Sequence, residues 1–125
     1  MEKEQKSCNC SVAPKLIFPC SGASDTGAIS DRTARKLSTE GVGKMYCLAG
    51  IGGGVGGIIA NTEAAAKILA IDGCPTDCAK KTLEKAGFKD FEHLRVTDLG
   101  MEKGKSPVTE ERIAEVANQA KPLLG

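Results

Sequence analysis

The chain has 125 residues, with 17 lysines and arginines against 16 aspartates and glutamates, six cysteines, one histidine and no tryptophan. A net charge of +1 supplies no field for a polyanion, and one tyrosine with three phenylalanines leaves little to stack on bases, so no nucleic-acid partner is expected. A domain of this length hides roughly two-thirds of its unfolded surface, so it needs neither disulfides nor metal merely to fold.

The N-terminus, "MEKEQKSCNC", is charged and lacks the apolar core of a secretion signal. The most apolar stretch, "LAGIGGGVGGIIA", is too short and too rich in glycine to span a bilayer. The expectation is a cytoplasmic protein with no membrane partner. In a reducing compartment six cysteines are thiols, thiolates or metal ligands rather than a disulfide framework. Residues 1–13 show no periodicity and read as a flexible tail carrying Cys8 and Cys10, while residues 14–125 read as a single α/β domain.

That domain opens with a strand, "KLIFPC", uniformly apolar after its lysine, as expected where helices cover both sheet faces. A helix follows, with Ile29, Thr33, Ala34 and Leu37 at helical spacing and Gly41 as its stop. "KMYCLAGI" reads as the second strand and places Cys47 in its C-terminal half. After "GGGVGG" come a short helix, "IIANTEAAA", and a third strand, "KILAID". The next helix, "PTDCAKKTLEKAG", takes Pro75 as its opening residue and Gly87 as its close. "FEHLRVTDL" alternates like an edge strand, and His93 on it reads as a solvated surface residue. The last helix buries Ile113, Val116, Ala117 and Ala120, with Thr109 as its cap.

Four alternations of strand and helix predict a three-layer domain around a parallel sheet of about four strands, in the order 2-1-3-4. Parallel strands all end on one edge, where open α/β folds keep their ligands. Cys20 lies just past strand 1, Cys47 in strand 2, Cys74 just past strand 3 and Cys78 one turn into the following helix, so four sulfurs are expected to converge. A helix N-terminus offers about 0.3–1 kcal/mol to a thiolate, less than the roughly 1.4 kcal/mol of one pKa unit. A divalent cation deprotonates a coordinated thiol outright. Four thiolates suit zinc, or less readily an iron–sulfur cluster, whose usual cysteine spacings are absent.

"FPCSGASDTGAISDRTARKL", "KMYCLAGIGGG", "AIDGCPTDCAKKTLEKAG" and "VTDLG" together resemble the DGC domain, a family named for its central Asp-Gly-Cys and regarded as zinc-binding. The resemblance runs from about Lys15 to about Pro107 and implies that Cys20, Cys47, Cys74 and Cys78 are chelators. It implies no reaction. Cys8 and Cys10 stand outside that set, as an accessory metal or thiol-exchange pair, and the partner of such chemistry would be a metal ion or a thiol-redox or metal-delivery protein.

Two other readings stay open. Cys74 and Cys78 would serve a thiol–disulfide or sulfur-transfer enzyme as nucleophile and resolving thiol. Gly52, Gly54 and Gly57 satisfy G-x-G-x-x-G, and Asp72 ends the next strand about 20 residues on, which is the pattern of a dinucleotide site. The loop holding Ser21, Gly22 and Ser24 offers N–H groups to an anion at a helix start. Lys103 and Lys105 follow strand 4 and border the cysteine edge.

Overall fold

The structure, a computed structural model, describes residues 13–125; Cys8 and Cys10 lie outside the described residues. In chain order the elements are β1 (Lys15–Pro19), α1 (Asp25–Thr39), β2 (Lys44–Met45), α2 (Leu48–Gly52), α3 (Gly56–Glu63), β3 (Lys67–Asp72), α4 (Cys78–Lys85), β4 (Glu92–Arg95) and α5 (Glu110–Ala120), with 3-10 turns at Val96–Leu99 and Lys121–Leu124. All strand pairs are parallel, and the order is β2-β1-β3-β4, as the alternation predicts.

The apolar runs of β1 and β3 are buried on both faces because successive side chains point to opposite sides. Ile17, Leu69 and Ile71 pack against Ile29, Ala34 and Leu37 of α1 and Val116, Ala117 and Ala120 of α5. Leu16, Phe18, Ile68 and Ala70 pack on the other side against Ile51 of α2 and Ala79 and Leu83 of α4. Helices therefore cover both faces. Ser24 caps α1 by accepting from the Gly27 N–H, and Thr109 caps α5 by accepting from the Arg112 N–H.

The structure corrects the sequence reading in three places. β2 is only two residues long: the Tyr46 N–H still donates to Ile17 O at 2.8 Å, but the chain then turns and Cys47 becomes the residue before α2. A short apolar run is ambiguous between strand and helix, and here burying Ile51 against the α4 side decides for helix. The glycine run consequently follows a helix, not a strand: Gly52 ends α2, Gly54 adopts φ 67°, and α3 begins at Gly56.

The third correction concerns the helix after β3, which begins at Cys78 and not at Pro75. Residues 74–77 form a turn in which the Asp77 N–H donates to Cys74 O at 3.1 Å. Pro75 holds the second turn position, for which its fixed φ is suited. Asp77 then takes a left-handed conformation, φ 57° and ψ 45°, and α4 starts immediately after it.

Candidate functional site

Cys20 leaves the end of β1 with its N–H donating to Ile71 O at 2.8 Å, so the turn after β1 stays tied to β3. Cys74 lies two residues beyond β3, and Cys78 opens α4. The topology thus brings three sulfurs to one edge of the sheet. Cys20 and Cys74 both lie near enough to Cys78 to act on it electrostatically. Cys47, exposed like Cys78, lines a cleft of about 490 Å³ with Ser21, Asp31, Arg35, Tyr46 and Thr82. Ser21 adjoins Cys20, and Thr82, one turn beyond Cys78, donates to Cys78 O at 2.6 Å.

Four thiolates on one zinc would stand about 3.8 Å apart, given bonds near 2.3 Å in a tetrahedron. The sulfurs are not drawn that tightly together. Among the described residues, the His, Cys, Asp and Glu side chains whose ligand atoms all lie within 4.8 Å of one another are Asp72, Asp77 and His93. The donor set at the sheet edge nevertheless fits zinc chemically: Cys20, Cys47, Cys74 and Cys78 are all free thiols, partly or largely open to solvent.

The thiols differ electrostatically. Cys74 donates to Thr76 Oγ1 at 3.4 Å; once the thiol ionises, that hydroxyl and the Thr76 N–H can both donate to sulfur. Those bonds, with the nearby Lys103 charge, hold the Cys74 thiol below its ordinary range. Desolvation pushes Cys78 the other way, as do Cys20, Asp72 and Cys74 beside it.

The loop between the two cysteines is anchored by side chains from the neighbouring strand. Asp72, buried at the end of β3, accepts from the Ala79 N–H at 2.7 Å and the Lys80 N–H at 3.1 Å, capping α4 across the turn. His93 Nε2 lies 2.9 Å from Asp72 Oδ2; because a carboxylate only accepts, that nitrogen carries the proton. Arg95 holds Asp77 with its guanidinium fork, at 2.9 Å and 2.6 Å. His93 is therefore not the solvated side chain expected of an edge strand. It is half-buried, and β4 pairing with β3 in register, Ala70 beside His93 and Asp72 beside Arg95, delivers it to the acid. No sequence signal marks His93, Asp77 and Arg95 as one group.

The other expected contacts find different uses. Asp72 spends its oxygens on amides and His93, so it is not the free acid that a ribose would need. Ser21 donates to Asp31 at 2.7 Å and Ser24 serves as the α1 cap. Asp25 already places a carboxylate at the start of α1, accepting from the Thr26, Gly104 and Ser106 N–H groups. Gly22 lies against the Cys20 sulfur, where a Cβ would stand 3.4 Å away. Lys103 is close enough to Cys74 to act on it, whereas Lys105 faces Glu102 at 3.7 Å. No helix among the described residues is long and apolar enough to cross a membrane.

A family model described as the DGC domain matches residues 16–120. The chain is also similar to the anaerobic and virulence modulator AnvM of Pseudomonas aeruginosa, 31% identical over 100 residues that cover 80% of this chain and 76% of that protein. No solved structure matches.

Proposed function

This chain belongs to the DGC domain family, and from that premise we propose that it is a small metal-binding regulatory protein whose Cys20, Cys47, Cys74 and Cys78 hold zinc at the C-terminal edge of the sheet. The observation that carries the reading is the topology: Cys20 follows the end of β1, Cys74 follows the end of β3 and Cys78 opens α4, all at one edge of the sheet, while Cys47 lines a cleft with Ser21 and Thr82. Zinc would supply a closed thiolate centre, or with three sulfurs bound an exchangeable fourth position. The domain has a core of its own on both sheet faces, so the metal acts as something bound and released rather than as a substitute core. The regulatory part of the reading draws on the description of AnvM as a modulator.

Elemental analysis of protein purified without added metal, with thiols counted before and after chelation, tests this. About one zinc per chain and thiols released by chelator are expected. Metal-free protein that takes up no zinc in competition with a chromophoric chelator would remove the proposal.

The opposed shifts of Cys74 and Cys78 favour one second reading, a thiol–disulfide exchange site. The Cys74 thiolate attacks a substrate disulfide, one sulfur leaves as thiolate, and a neighbouring thiol resolves the mixed disulfide, two electrons passing from protein to substrate. Full exchange activity in Cys74→Ser would eliminate it.

A further inference from the structure

Two acid–base pairs grip the cysteine loop without being part of the sulfur set. Asp72 lies two residues before Cys74 and its carboxylate reaches over the turn to the first amides of α4, at Ala79 and Lys80. Asp77 lies one residue before Cys78, and its left-handed backbone sets the angle at which α4 departs. Both acids are nine-tenths buried or nearly so, and both are held from β4: His93 on Asp72, Arg95 on Asp77, with His93 Nε2 also 3.6 Å from Asp77 Oδ1. Arg95 is steadied in turn by Asp98, at 3.4 Å.

We infer that His93 and Arg95 are positioning residues that, through Asp72 and Asp77, hold the Cys74–Cys78 loop in a single shape before any metal arrives, so that binding has only to draw the sulfurs together. The inference rests on the metal reading above and names residues outside the ligand set. Two arguments converge on it. Asp77 holds a left-handed backbone, which costs any residue with a Cβ something even though aspartate bears it better than most, and the two-pronged Arg95 contact keeps it there. Second, a loop ordered in advance spares metal binding the conformational entropy of ordering it. Partners of this kind are held outside the ligand shell in many metal sites, where losing one lowers affinity about 10–100-fold.

The test compares His93→Ala, His93→Gln, Arg95→Ala and Arg95→Lys with Val116→Ala, a cavity on the α5 side of the sheet that serves as a purely structural control. Zinc affinity is read by chelator competition, cobalt-loaded protein by its thiolate charge-transfer and ligand-field bands, and the metal-free protein by amide exchange at Ala79 and Lys80. His93→Ala and Arg95→Ala should lose about 10–100-fold in zinc affinity, alter the cobalt spectrum and speed exchange at both amides. His93→Gln, whose amide can still donate to Asp72, should recover most of the loss. Val116→Ala should melt earlier with an unchanged cobalt spectrum. If Arg95→Ala does not fold, Arg95→Lys keeps the charge, loses the fork and should show the same loss.

Wild-type affinity and spectra in His93→Ala and Arg95→Lys would overturn the inference, as would losses that merely follow melting temperature the way Val116→Ala does. A wild-type chain that binds neither zinc nor cobalt refutes the metal reading instead. Amide exchange then decides the anchoring by itself: faster exchange in His93→Ala supports it, and unchanged exchange refutes it.

Discussion

Replacing Gly73 by alanine puts a methyl group where the end of β3 meets the first turn of α1. A Cβ there would stand 2.7 Å from Gly27 N, 2.7 Å from the Thr26 carbonyl carbon and 2.8 Å from Thr26 O. All three are backbone atoms, so no side chain can swing aside. Relief requires β3 and α1 to separate by several tenths of an ångström along a contact that also ties Ser30 Oγ to Ile71 O at 2.8 Å. Overpacking of this kind costs about 1–3 kcal/mol. With an unfolding entropy of about 2.1 cal/mol/K per residue, a domain of this length should lose roughly 4–12 °C in Tm. Gly57→Ala is the matched control, since nothing lies within 4 Å of its Cβ and the residue sits in α3 without a positive φ. That substitution should leave Tm unchanged or raise it, by up to about 1 kcal/mol of helix propensity. Melting followed by circular dichroism, with chelator present so that bound metal does not mask the change, reads both. A Gly73→Ala protein that melts at the wild-type temperature would show that the contact yields freely and would refute the steric reasoning.

Three further outcomes follow from the same geometry. Asp72→Ala leaves the Ala79 and Lys80 N–H groups without their acceptor and should lower stability by about 1–3 kcal/mol in urea unfolding. The Arg95 fork holds the Asp77 carboxyl below its ordinary value of 3.8, so that pair's contribution is complete above about pH 4 and is lost as pH falls from there through the lower folded value. Arg95→Gln should therefore flatten the acid limb of the stability–pH curve; a limb unchanged from wild type would contradict it. In metal-free protein, iodoacetamide should label Cys74 before Cys78, with the Cys74 rate inflecting at lower pH, and Lys103→Glu should slow Cys74 alone. Peptide mapping of alkylated protein gives the order, and Cys78 reacting first would reverse the assignment.

The sequence by itself determined the alternation of strands and helices, the strand order 2-1-3-4 and the buried faces of α1 and α5. These rest on hydrophobic period, and two long amphipathic helices and two uniformly apolar strands leave the chain few ways to bury them. It also brought Cys20, Cys74 and Cys78 to one edge, because parallel strands end together. The family motifs, Asp-Gly-Cys among them, were equally legible in the linear chain.

Only the tertiary structure decided the rest. Cys47 left its expected strand because burial of Ile51 against the α4 side outweighed pairing at the sheet edge. Asp77, not Pro75, set where α4 begins, since its left-handed turn is held by an arginine 18 residues away. His93 and Arg95 became part of the site through their register against β3, and contacts of that separation leave no period in the sequence. Local pattern reports which side chains must leave water; where the polar ones then find their partners depends on how separate elements are brought side by side.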